Sequence, residues 1–143
     1  MQEQKVIGEC LNVDSDPYDI FIFAINAQVT KQKYTYRLMK FFDFIDLEGE
    51  TIRQRCRNAV KMDRNSNNGK WLLNNILKFL QAQKGRVERK EITGATVRNF
   101  VKAIKLFCEM NDISIPWKKI TRGLPKGRKY AYDRAPTIDD IKK

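Results

Sequence analysis

The chain has 143 residues, of which 28 are Lys or Arg, 17 are Asp or Glu and none is His, for a net charge of +11. Eight Phe, five Tyr and two Trp against seven Gly and four Pro exclude a disordered composition, and the length allows one real hydrophobic core with or without a tail. Three scattered cysteines with no CxxC pair and no histidine argue against structural zinc, and the longest apolar run, 20–25, is far below the roughly 20 residues of a bilayer span.

In chain order, residues 1–15 have weak periodicity and an acidic bias, which predicts a flexible arm with no signal peptide. Asp16-Pro17-Tyr18-Asp19 reads as a helix start: a cap, proline at the first helical position and an acid in the first turn. The run 20–27 then predicts a short, deeply buried helix. A buried strand is the competing assignment, and the start signal decides against it. The second helix is expected over 30–46, with Tyr34, Leu38, Phe41, Phe42 and Ile45 as its buried stripe. Lys31, Lys33, Arg37 and Lys40 occupy its other faces. After the break at Glu48-Gly49-Glu50, a third helix is expected over 51–64, with Ile52, Cys56, Ala59, Val60 and Met62 inward.

The segment 65–69 is a turn by composition. The fourth helix, about 70–89, turns Leu72, Ile76, Phe79, Leu80, Gln83 and Val87 inward, and Trp71, Leu73 and Leu77 broaden that side. Lys84 and Arg86 lie near its C-terminal end, where cations suit the helix dipole whatever else they do. The fifth helix opens at Thr93-Gly94-Ala95-Thr96 and ends near Asn111. Val97, Phe100, Val101, Ile104, Phe107 and Cys108 form its core stripe, and Arg98, Lys102 and Lys105 form a separate basic one. Cys56 and Cys108 thus read as buried thiols of a reducing cytosol. Pro116 forces an extended stretch before it. Residues 118–129 carry six cations and no acid, with two glycines and a proline, and read as a basic linker. Pro136-Thr137-Ile138-Asp139 reads as a fresh helix start.

Helices two and five share a pattern, Thr-x3-(Tyr/Phe)-x3-(Leu/Ile)-x2-Phe, at Thr30, Tyr34, Leu38, Phe41 and at Thr96, Phe100, Ile104, Phe107. Steps of three and four put the apolar members on one helix face. Each threonine falls near a helix start, where its hydroxyl can satisfy an orphan N–H. The first twenty residues hold five acids and one Lys, so the remainder carries 27 cations against 12 acids. A positive surface spread over several helices would attract a polyanion. These readings together predict an all-α bundle of four or five helices with a basic C-terminal linker.

The stretches TKQKYTYRLMKFFDFI (30–45) and ITGATVRNFVKAIKLFCEMNDISIPWKKI (92–120), followed by YAYDRAPTIDDIKK from Tyr130, carry a resemblance. They are similar to the N-terminal core-binding domain of tyrosine recombinases, the phage-integrase family, and especially to its archaeal-type members. The resemblance covers roughly residues 16–143. It implies a compact SAM-like bundle over 16–112 that clamps one side of a DNA duplex. It further implies a basic linker over 113–135 that crosses the backbone, and the start of a catalytic domain at 136–143.

The family's chemistry needs a tyrosine nucleophile with Arg, Lys and usually His in that further domain. Tyr130 and Tyr132 have no such constellation near them, so no catalytic residue, metal or cofactor is expected here. The expected partners are double-stranded DNA and other recombinase protomers on it, with no membrane contact. The chain should be monomeric off DNA, cytoplasmic, and associated with the nucleoid when bound. Expected DNA contacts are Thr30, Lys31, Lys33, Arg37 and Lys40; Lys84 and Arg86; Thr96, Arg98, Lys102 and Lys105; and Lys118, Lys119, Arg122, Lys126, Arg128 and Lys129. Arg98, Lys102 and Lys105 ride on a helix and could reach base edges, whereas the linker cations would hold phosphates only. The alternative is a stand-alone regulatory or protein-interaction module derived from an integrase.

Overall fold

Asp16 and Pro17 do start a helix, but it is shorter than the apolar run. In the computed structural model, which describes residues 16–66 and 69–125, α1 spans Pro17–Phe23. It is followed by α2 (Gln28–Phe44), α3 (Ile52–Asn65), α4 (Trp71–Glu88), α5 (Gly94–Met110) and α6 (Trp117–Arg122). The described residues contain no strand, and the helices pack into one all-α bundle. The deeply buried first helix expected over 20–27 is only half realised. Ile20, Phe21 and Ile25 are buried, but the helix ends at Phe23, whose ring is 63% exposed.

A chain of phenylalanines joins the helices. Phe21 of α1 meets Phe107 of α5 edge-on at 6.0 Å, and Phe107 meets Phe42 of α2 at 5.9 Å. Beside Phe42, Phe41 meets Phe79 of α4 at 5.2 Å, and Phe79 meets Phe100 of α5 at 5.2 Å. Edge-to-face pairs of this kind add to the area they bury. Around them Leu38, Cys56, Leu72, Ile76, Val97, Ile104 and Cys108 are fully buried. Burial pushes both thiols well above the ordinary range, so neither is ionised near neutral pH.

Several expected core positions sit further out. Phe100 and Ile45 lie at the core's margin, and Met62 and Leu77 are exposed. The inward side of α3 is completed instead by Asp63, which is 8% exposed. Its Oδ1 accepts the Leu72 N–H at 2.9 Å, and Ser66 Oγ accepts the Trp71 N–H at 3.4 Å. Lys70, at the cap position of α4, has no side-chain cap bond, so the preceding helix end caps this one.

The helix starts also refine the threonine reading. Thr30 is not the cap of α2, because the first turn already begins at Gln28 and the cap position is Ala27. The cap of α5 is Thr93, whose Oγ1 accepts the Thr96 N–H at 3.2 Å. Thr51 caps α3 in the same way at 3.1 Å. Asp16 holds the cap position of α1 without a cap bond, because its carboxylate turns to Arg53 at 3.0 Å and Arg57 at 3.3 Å on α3.

Three helices stop alike. Asp46, Lys90 and Asp112 take left-handed φ values of 57°, 64° and 59°. The next N–H then reaches back across the last turn, Leu47 to Phe42, Glu91 to Arg86 and Ile113 to Cys108. No glycine marks these stops, which is why their ends were legible only to within a residue or two.

The start of the basic linker is structured. Trp117–Arg122 form α6, with Ile120 buried and Trp117 and Leu124 packed against the core. Apolar residues three and four apart fix this short helix on the bundle, so Lys118, Lys119 and Arg122 ride on a docked element and not on a free linker.

Candidate nucleic-acid interface

Of all the helix pairs, α2 and α5 pack most extensively. Two grooves lie along them. The first, about 430 Å³, is lined by Thr30 and Tyr34 of α2 and by Lys102, Lys105, Leu106 and Glu109 of α5, with the 24–27 turn at its end. The second, about 420 Å³, is lined by Gln32, Lys33, Tyr36 and Arg37 of α2 and by Thr96, Asn99 and Phe100 of α5.

The arrangement is reciprocal. In each groove the threonine and aromatic of one helix's repeat face two cations of the other helix. The repeated pattern is thus used twice, once from each helix, across the α2–α5 contact. The second groove contains no acid among its lining residues, and the first contains only Glu109.

Charge pairing separates the cations into two sets. Arg53 pairs with Asp19 at 2.8 Å as well as with Asp16, and these acids raise its already high pKa. Arg55 pairs with Asp43. Arg86 and Arg89 share Glu91, at 3.3 and 2.8 Å, and hold its carboxyl below the usual range. Lys33, Arg37, Lys40, Lys102 and Lys105 have no ion pair with another described residue. Arg37 lies over the Tyr34 ring at 5.6 Å and Lys40 over the Tyr36 ring at 5.2 Å.

The expected contact residues thus divide. Thr30, Lys33, Arg37, Thr96, Lys102 and Lys105 line the grooves. Lys40 lies one turn further along α2, and Lys31 is half-buried in its first turn. Lys84 is exposed on α4 but lines neither groove, and Arg86 is held by Gln83 and Glu91.

Arg98 departs most from expectation. It is half-buried, lines neither groove, and donates to the Pro125 carbonyl at 3.2 Å. It ties the end of the α6 segment to α5 and is not free beside Lys102. Lys126, Arg128 and Lys129, the 1–15 arm and the helix start at 136 lie outside the described residues.

Sequence reasoning passed over Tyr36, Asn99 and Phe44. The signal was available for Tyr36, which sits between Lys33 and Lys40 on the charged side of α2. Among the described residues, no helix is long and apolar enough to cross a membrane. Compared with known proteins, the chain matches no family model, no curated protein and no solved structure.

Proposed function

We propose that this chain is a duplex-DNA-binding module of the core-binding kind found in tyrosine recombinases, and that it supplies no catalytic group of its own. The carrying observation is the reciprocal pair of grooves. They place four cations without ion-pair partners among the described residues, Lys33, Arg37, Lys102 and Lys105, on two rigid helices beside Thr30 and Thr96. Cations held on helices neutralise phosphates at fixed spacing, and threonine hydroxyls add short-range hydrogen bonds to the same oxygens. The cations of α6 extend the positive surface.

The reading is tested by anisotropy titrations of a labelled random duplex at several salt concentrations, run beside incubation with supercoiled plasmid. Binding that weakens steeply with salt, with the plasmid left supercoiled, is the expected result. Salt-independent or absent binding refutes the DNA-binding reading, and plasmid relaxation refutes the non-catalytic one.

A further inference from the structure

The outer face of α2 carries a second stripe that lies largely outside the core. Val29, Lys33, Tyr36, Lys40 and Phe44 follow one another at steps of four, three, four and four, so they lie along one side of the helix. Val29 and Tyr36 are each 61% exposed and Phe44 is 46% exposed. Apolar and cationic side chains therefore alternate along an exposed line. The only acid on α2, Asp43, is taken up by Arg55.

The rings are held in place. Phe44 packs edge-on against Phe79 at 5.3 Å, and Lys40 sits over Tyr36 at 5.2 Å. Eight residues of helix separate Tyr36 from Phe44, about 12 Å along the axis. The second groove, with Lys33, Arg37 and Asn99, lies beside Tyr36.

Phosphate neutralisation needs cations only. Exposed rings interleaved with them add a surface for the flat faces of unpaired bases, the combination that binds single strands without strong sequence preference. A protein partner matched to this stripe would have to be both apolar and strongly acidic, whereas a single strand supplies both properties in every nucleotide.

We infer that the Val29–Phe44 face of α2 binds single-stranded nucleic acid, with Tyr36 and Phe44 stacking on bases and Lys33 and Lys40 on the intervening phosphates. This goes beyond the duplex reading and does not depend on it, since base faces are hidden inside a duplex.

The test compares three labelled probes at one low salt concentration: oligo-dT of about twelve nucleotides, within the usual site size for such surfaces, an abasic strand of equal length, and a duplex. The wild-type chain should bind oligo-dT more tightly than the abasic strand. Tyr36→Ala should weaken oligo-dT binding by about five- to 150-fold, the range of one base–aromatic stack. It should leave the abasic strand and the duplex within about twofold. Tyr36→Phe should restore binding. Tyr36 is exposed, so its truncation should leave the melting temperature unchanged, and Phe44→Leu provides a second, milder test of the same face. Equal binding of oligo-dT and abasic strand overturns the inference, as does a uniform loss on all three probes or no binding of oligo-dT. So does a dimer that Tyr36→Ala converts to monomer, which would assign the stripe to self-association. Absence of duplex binding by the wild-type chain, with oligo-dT still bound, would refute the duplex reading and leave this inference standing.

Discussion

Removing two groove cations should change the salt dependence of duplex binding by a calculable amount, and removing two others should not. Five cations on the α2–α5 face, Lys33, Arg37, Lys40, Lys102 and Lys105, have no ion pair with another described residue. If each neutralises one phosphate, the slope of log affinity against log salt is about −4.5. Between 50 and 200 mM salt the affinity then falls about 500-fold. With Lys102→Gln and Lys105→Gln together, three contacts remain. The slope becomes about −2.7, and the same change in salt costs about 40-fold. Lys61→Gln with Arg64→Gln removes the same net charge from exposed positions on α3, which contributes to neither groove. That control should keep a slope within about half a unit of the wild type, because distant charges are screened beyond roughly 10 Å. Anisotropy titrations on one random duplex measure all three. If the α3 pair flattens the slope as much as the α5 pair, binding is diffuse attraction to a +11 protein and the grooves have no special part in it.

Other expectations concern the frame that holds the grooves. Asp63→Ala should destabilise the bundle by about 2–3 kcal/mol in urea denaturation, through loss of a charge-assisted bond to the α4 start, and Asp63→Asn by less than half of that. Equal stability of the wild type and Asp63→Ala would mean that the helix start caps itself with water. Phe79→Ala should cost about 3–5 kcal/mol, since that ring is buried between α2 and α5; Phe100→Ala, at the margin, should cost clearly less in the same thermal melts. Arg98→Ala should speed tryptic cleavage at Lys118, Lys119 and Arg122 by freeing the Pro125 end of α6. It should reduce duplex affinity less than Lys102→Ala does, and the opposite order would return Arg98 to the DNA face.

The helical class, the inward stripes of α2, α4 and α5, and the candidate cations were legible in the sequence, because they depend on spacing along one helix. A period of three and four is local, and it survives whatever the helix packs against. What tertiary structure decided was which side chains from different helices meet. Nothing in the order of residues says that Thr30 and Tyr34 share a groove with Lys102 and Lys105 while Thr96 and Phe100 share one with Lys33 and Arg37; the packing of α2 on α5 does. The same holds for charge. Arg53 and Lys102 look alike in sequence, and only the fold brings Asp16 and Asp19 to the first and leaves the second beside a groove. The burial of Asp63 follows from the start of α4, which needs an acceptor, and Arg98, by spacing a member of the basic stripe, is drawn out of it by the Pro125 carbonyl. Sequence spacing determined the faces of each helix, and the packing of one helix on another determined which charges are cancelled and which remain to act on a ligand, because pairing is a matter of distance in space.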